Sequence, residues 1–350
     1  MKSNYEPLGK HIRLVDYRNS EEVTSTVLGI SIDKEFMPSV ANVIGTDLSR
    51  YKLISKGLFA CNPMHVGRDE RLPIALYEKD NASIVSPAYF MFEIIDRDVL
   101  NEEYLMMWFR RPEFDRECWF MTDGSVRGGI TWDDLCRIQL PVPPYERQLD
   151  VVESYRAITR RIAMKKEIND NLEAVLAASH SKMFFSKDTS EHSKLGELMT
   201  FGNGKSRPKT DGTIPVYGGN GVLSYTDQHN IENAVLIGRV GAYCGSVYLE
   251  QGICWVSDNA IFAKSKITKD EFFDYFLLKR LNLFNHHVGT GQQLLTQEIL
   301  NNIEVPKPVT EQIELFNRKA ASVFETIFTN SREIIRLQEL SDLLLSRLSG

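Results

Sequence analysis

The feature that most constrains this chain is that it contains itself twice. The segment Leu140-Pro-Val-Pro-Pro-Tyr-Glu-Arg-Gln148 returns as Val305-Pro-Lys-Pro-Val-Thr-Glu-Gln312. Pro141 and Pro143 match Pro306 and Pro308 at an offset of 165, which drops by one at the glutamine because only the first copy carries Pro144. Upstream, Ile130, Thr131, Leu135 and Ile138 align with Leu295, Thr296, Leu300 and Ile303 at the same offset. Further back, Glu102–Arg111 resembles Glu271–Arg280. Each is an aromatic-rich stretch that predicts a short helix ending in two cations, which complement the negative end of a helix dipole. Val85-Ser86 likewise answers Val256-Ser257, each pair standing before an apolar strand. Each step alone is weak, but the shared order at nearly one spacing is not. The 350 residues are therefore two copies of about 165, and each copy must fold as the same unit.

Each copy ends in a long amphipathic segment. After Pro308, apolar residues fall at Ile313, Phe316, Ala320, Val323, Ile327, Ile334, Leu337, Leu344 and Leu348, with Asn330 and Ser341 in the remaining places. The spacing alternates three and four over about five heptads, the seam of a coiled coil. The first copy runs Val151, Tyr155, Ile158, Ile162, Lys165, Asn169, Leu172, Leu176, Ser179 and Met183, with no interior Pro or Gly in either segment. Helices of about 36–40 residues, roughly 55–60 Å long, are predicted. A single apolar stripe of that length needs a partner, and two stripes in one chain can supply it to each other. The expectation is an antiparallel pair in which the polar places fix register. The competing reading packs each helix on its own domain.

The rest of each copy reads as α+β. In the second, Leu195-Gly-Glu-Leu-Met-Thr-Phe leads to a Gly/Lys/Arg/Pro loop over Gly202–Lys209. Short strands are predicted at Ile214-Pro-Val-Tyr, Gly218-Gly-Asn-Gly, Ala234-Val-Leu-Ile-Gly and Ser246-Val-Tyr-Leu. A short helix near 269–280 and a last strand near Ile303–Val305 precede the long helix. The expected division is a first domain over 1–145, a helix over 146–186, a second domain over 187–309 and a helix over 310–350.

Composition excludes several classes. Hydrophobic residues at 43% and charged residues at 25% describe an ordinary folded protein. With 41 basic and 47 acidic residues the net charge is −6, which argues against coating nucleic acid by bulk charge but not against a reader with localised cations. Cys61, Cys118, Cys136, Cys244 and Cys254 form no CxxC pair, so free thiols in a reducing compartment are expected. The opening MKSNYEPLGKH lacks the apolar core of a signal peptide, and no stretch reads as a membrane span. A cytoplasmic location without membrane attachment is expected.

The chemistry motifs are poor. Gly202-Asn-Gly-Lys-Ser206 ends like a phosphate loop, but the leading glycine position is Met199. Asn62-Pro-Met-His65 faintly echoes the Asn-Pro-Pro-Tyr motif of amino-methyltransferases but lacks its second Pro and its aromatic residue. There is no HExxH, and His286-His287 are adjacent and point apart, so no metal site is expected. Asp133-Asp134 and Asp115-Arg-Glu117 read as solvated helix faces or caps. What remains are loops carrying hydrogen-bond donors suited to phosphate or base edges. These are Arg68 in the first copy's Asn62–Arg68 segment, Arg127 in Asp123–Gly129, and Lys205, Arg207 and Lys209 in the basic loop. Arg239 in the Gly238–Gly245 turn and Gln292 and Gln293 in Gly289–Gln293 complete the set. Plain connecting loops, and for Arg239 a structural salt bridge, are equally open readings. A chain this long with duplicated domains and no catalytic set reads as a binder or scaffold.

The order of domain, Pro-x-Pro…Gln, long helix, each occurring twice, resembles the specificity (S) subunits of type I restriction-modification systems. The segments Leu140–Gln148 and Val305–Gln312, the Leu-Gly openings at Leu8-Gly9 and Leu195-Gly196, and the turn Gly238–Gly241 carry the resemblance, which covers essentially the whole chain. It implies two target recognition domains, each related to the DNA-reading domain of adenine methyltransferases, held apart by two long antiparallel helices forming a coiled coil. Each domain would read one half of a bipartite double-stranded DNA target. The half-sites would lie about one helical turn, roughly 34 Å, apart on one face of the duplex. Two modification (methyltransferase) subunits, which hold the S-adenosylmethionine, and restriction (motor-endonuclease) subunits are the implied partners. This chain would carry no cofactor and catalyse nothing. The alternative is a stand-alone DNA-binding scaffold of the same architecture.

Overall fold

Short strands broken by turns build the first copy. In the computed structural model, which describes residues 5–40, 45–64, 66–122, 128–186, 191–289 and 291–349, it begins β1 (Tyr5–Pro7), β2 (Ile12–Leu14), β3 (Val27–Ile30), β4 (Phe36–Pro38), β5 (Lys52–Ile54) and β6 (Phe59–Cys61). A single turn α1 (Val66–Asp69) leads to β7 (Ile74–Leu76), β8 (Ser83–Val85) and β9 (Phe90–Ile94). Three helices follow, α2 (Glu102–Phe109), α3 (Pro112–Phe120) and α4 (Trp132–Arg137), then β10 (Gln139–Pro141) and the long α5 (Tyr145–Phe184). The strands form two four-stranded sheets, ordered β2-β9-β6-β7 and β4-β3-β8-β5. The first is buried on both faces, and the strand alternation divides it. Phe59, Ile74, Phe92 and Ile94 face the helices. Their neighbours Ala60, Ala75 and Met91 face the second sheet through Leu28, Ile54 and Val85.

The second copy runs β11 (His192–Lys194), α6 (Leu195–Leu198), β12 (Met199–Asn203), β13 (Ile214–Gly218), β14 (Gly221–Thr226), β15 (Ile231–Gly238), β16 (Val247–Val256) and β17 (Ala260–Ser265). After α7 (Phe272–Arg280) come a 3-10 turn at Leu283–His286, α8 (Gln297–Asn302), β18 (Glu304–Pro306) and the long α9 (Thr310–Ser346). One six-stranded sheet, ordered β12-β17-β15-β16-β13-β14, replaces the two of the first copy. The predicted strand at Gly218-Gly-Asn-Gly is instead a hairpin turn, with Gly218 paired to Gly221. Gly221 sits at φ +78°, where a side chain would be strained, and tight hairpins favour such residues.

The duplication is visible in the backbone. β1 pairs antiparallel with β10, and β11 with β18. Just inside each pair, Leu8 N donates to Ile138 O at 2.8 Å and Leu195 N to Ile303 O at 2.9 Å. The Leu-Gly openings have a steric reason. A Cβ on Gly9 would stand 2.8 Å from Cys136 Cβ, and one on Gly196 2.5 Å from Asn301 Oδ1; Cys136 and Asn301 are themselves 165 apart. Thr131 and Thr296 cap α4 and α8, accepting from Asp134 N and Ile299 N. The glutamines diverge. Gln148 is fully buried, accepting from Asn101 N at the start of α2 and donating to Val99 O and Pro143 O. Gln312 is exposed, and Asn317 does that work, accepting from Phe273 N and donating to Asp270 O and Thr268 Oγ1.

Asp115 is not on a solvated face. It is buried because α3 packs inward, where its carboxylate accepts from Lys34 Nζ at 2.6 Å and from Leu72 N at 3.0 Å. Asp134 is the cap partner expected, bonded to Thr131.

The chain divides into two compact units, Met1–Met164 with Glu333–Gly350, and Lys165–Arg332. In the first, the start of α5 packs on the end of α9, with Val152, Leu345 and Leu348 in one core and Tyr155 and Leu344 against it. In the second, the end of α5 packs on the start of α9, joining Leu176 to Phe316, Ala320 and Phe324, with Val323 and Ile327 against them. Both pairings are antiparallel. Ile158, Ile162, Leu172 and Leu337 are half-buried, and every position of the two predicted seams is buried or half-buried. The polar seam places meet: Lys165 Nζ donates to Asn330 Oδ1, and Asn330 Nδ2 to Asn169 Oδ1, both at 2.9 Å. Among the described residues no helix is long and apolar enough to cross a membrane.

Candidate nucleic-acid interface

Five connections of the second copy are stitched together at one end of the six-stranded sheet. β12 runs on to Lys205, whose N–H donates to Val256 O at 2.9 Å. This approach needs Gly204, because a Cβ there would stand 2.0 Å from Ser257 O. Ser257 N donates to Tyr217 O at 2.9 Å, binding the β16–β17 turn to the β13–β14 hairpin. The next residues of that turn reach the Arg239 turn, where Arg239 N donates to Asn259 O at 3.0 Å. Gly241 N then donates to Gln293 O at 3.0 Å, and Leu295 N to Arg239 O at 2.9 Å. Lys205, Arg239 and Gln293, far apart in sequence, thus share one continuous rim.

The side chains on this rim differ in freedom. Lys205, Arg207, Lys209 and Gln292 are exposed, while Arg239 and Gln293 are half-buried. The open salt-bridge reading of Arg239 does not hold among the described residues. Its guanidinium makes one long hydrogen bond, Nη1 to Asp258 O at 3.4 Å, and Nε is buried without a partner. Ser257 Oγ is also buried without one. Ser257 escaped the sequence reading, although the Val256-Ser257 repeat marked its position.

The first copy uses the same frame with other residues. Ile130 N donates to Pro63 O at 3.1 Å and Gly67 N to Gly128 O at 3.0 Å. Arg68 lies beside this junction, but its fork is closed on Asp69, with Nε to Oδ1 at 2.7 Å and Nη2 to Oδ2 at 2.8 Å. That pairing raises the Arg68 pKa and occupies its donors. Arg127 lies outside the described residues. Sequence reasoning also missed the exposed aromatics near these loops, Trp119 and Phe120 in the first copy and Tyr243 and Phe284 in the second.

Each unit also carries a groove beside its aromatic-rich helix. In the first, a cavity of about 1050 Å³ includes Met107 and Arg110 of α2 and Asp342 and Leu345 of α9. In the second, a cavity of about 560 Å³ includes Phe276 and Lys279 of α7 and Ala177 and His180 of α5. These residues correspond pair by pair at the repeat offsets, 169 between the short helices and 165 between the long ones. His180 lies among Phe184, Phe273, Phe276 and Phe316. Its burial, and secondarily Arg280, lower its pKa to about 3, so it is neutral.

The family model described as "Type I restriction modification DNA specificity domain" matches residues 187–343, the second domain and most of its helix. No curated protein matches. Among solved structures, the type I restriction-modification system S subunit from M. genitalium is similar in fold over 98% of this chain and 95% of its own, with 15% identity and a TM-score of 0.60. A structure titled for complex assembly and conformational transition of the type I R-M system covers 98% of this chain and 96% of its own, at 18% identity and a TM-score of 0.48. The HsdS subunit from Thermoanaerobacter tengcongensis covers 99% and 97%, at 16% identity and a TM-score of 0.39. Residues 187–343 thus match the type I restriction modification DNA specificity domain, and the fold of the whole chain is similar to that of the M. genitalium S subunit.

Proposed function

We propose that this chain directs a type I restriction-modification complex to a bipartite DNA target, each domain reading one half through its loop rim. The observation that carries this is the pairing of one backbone frame with two different sets of loop side chains. Identical frames would place two readers alike on DNA, and different side chains would read different bases. Lys205, Arg207 and Lys209 supply phosphate contacts, and Arg239, Gln292 and Gln293 supply base contacts in the second domain. Arg68 and Arg127 are the corresponding cations of the first. The two long helices set the distance between half-sites. The equivalent grooves suit two copies of one partner, the modification subunits, which hold S-adenosylmethionine. Restriction subunits join that assembly.

Co-expression with the modification subunit of the same system tests this. A stable complex of one specificity chain with two modification chains, methylating a split sequence mapped in host DNA, is the expected result. A lone chain that binds its sequence at full strength would favour the stand-alone scaffold. Binding of S-adenosylmethionine by the isolated chain would contradict the non-catalytic assignment.

A further inference from the structure

The two copies differ in chemistry at one equivalent place on the rim. Leu295 and Ile130 stand 165 apart, and their N–H groups donate to Arg239 O and Pro63 O. Gln293 and Gly128 also stand 165 apart, and their carbonyls accept from Gly241 N and Gly67 N. The first bond puts Arg239 and Pro63 in the same position, and the second sets Gly241 opposite Gly67, so the turn that follows is two residues longer in the first copy. Pro63 has no side-chain donor, and the next residue, Met64, is exposed and apolar.

Arg239 is built to be held still with its fork available. Its N–H is bonded to Asn259 and its carbonyl to Leu295, so the backbone on both sides is fixed. The turn is tight: a Cβ on Gly238 would lie 2.1 Å from Tyr243 O, and Gly241 and Gly245 sit at φ +71° and +85°. No carboxylate pairs with this guanidinium among the described residues, in contrast to Arg68 on Asp69. An arginine with a fixed backbone and an open fork matches the two acceptors, N7 and O6, of a guanine in the major groove. Its backbone adds little ordering cost when it binds, and only the side chain remains to be ordered.

Resting on the reading that this chain recognises DNA, we infer that Arg239 is the guanine-reading residue of the second domain. The first domain, with Pro63 in that place, makes no such demand on its half-site. Position 239 and its counterpart 63 thereby determine part of the difference between the two half-sites.

The test uses the complex with its modification subunits and a duplex carrying the mapped target. Each guanine of both half-sites is replaced in turn by 7-deazaguanine, which lacks the N7 acceptor. One replacement is expected to weaken wild-type binding by roughly 2- to 10-fold, about half the worth of a good bidentate contact, because O6 is kept. The same replacement is expected to leave Arg239→Ala and Arg239→Gln unaffected. Every other guanine should behave alike in wild type and variants. If each replacement weakens the variants as much as the wild type, or if Arg239→Ala weakens scrambled DNA equally, the assignment is overturned. Loss of the thermal transition in both variants would make Arg239 a structural residue and also overturn it. If the wild-type complex shows no preference for the mapped target over scrambled DNA, the DNA-specificity reading itself falls.

Discussion

Lys34 and Asp115 show how a single pair of side chains can hold a domain that has no disulfide. Both are buried, and burial lowers the lysine pKa while Asp115 opposes that shift. Removing one partner leaves an uncompensated buried charge, so Lys34→Met is expected to cost about 3–5 kcal/mol. Lys34→Met with Asp115→Leu should recover most of that loss, as chemical denaturation would show; equal stability of single and double variants would refute it. Asp274 behaves differently. Its carboxyl is deeply buried, and that burial raises its pKa to about 7, with the Ser265 hydroxyl opposing and Glu271 adding to the rise. A carboxyl whose folded-state pKa exceeds its unfolded value stabilises fully below the unfolded value, near 4. That stability is lost as pH rises toward 7. Asp274→Asn should therefore melt higher than wild type at pH 8 and close to it at pH 4. Parallel pH profiles for the two would sink the idea.

At the scale of elements, the long helices were legible because a heptad pattern is local and every seam position answers to it. The Leu-Gly openings were legible as a motif, but their cause, the approach of Gly9 to Cys136 and of Gly196 to Asn301, needed the fold. The transfer of a buried amide role from Gln148 to Asn317 was hidden, because sequence alignment placed Gln148 on Gln312. Gln148→Leu is expected to destabilise the first unit by about 3 kcal/mol or more, since it orphans Asn101 N, Val99 O and Pro143 O in the interior. Gln312→Leu should be near neutral, and Asn317→Leu should match the loss at Gln148. Strand order could not be read, because pairings such as β12 with β17 join residues far apart in sequence. On the candidate rim, the cations and amides followed from donor chemistry. That Arg68 is closed on Asp69 while Arg239 is open is a matter of side-chain conformation, which no spacing encodes.

For the whole molecule, the length of the helices is the proposed measure of the target. Removing one heptad from facing turns of α5 and α9 is expected to change the spacer between half-sites and leave the half-site bases intact, read by mapping methylated sites. A change in the bases themselves would end that view. The net charge of −6 accords with the proposed reading of bases through a few cationic loops in preference to bulk attraction to phosphate. The β1–β10 and β11–β18 pairs have a wider meaning. Each brings the entry and exit of a reading domain side by side, at Leu8 and Ile138 and at Leu195 and Ile303. The segment between those points is a cassette held at its meeting ends and by its bonds to the long helices through Gln148 and Asn317. On the proposed function, exchanging one cassette for another at the clasp is expected to change the half-site read and leave the helices as they were, which mapping methylated sites would check.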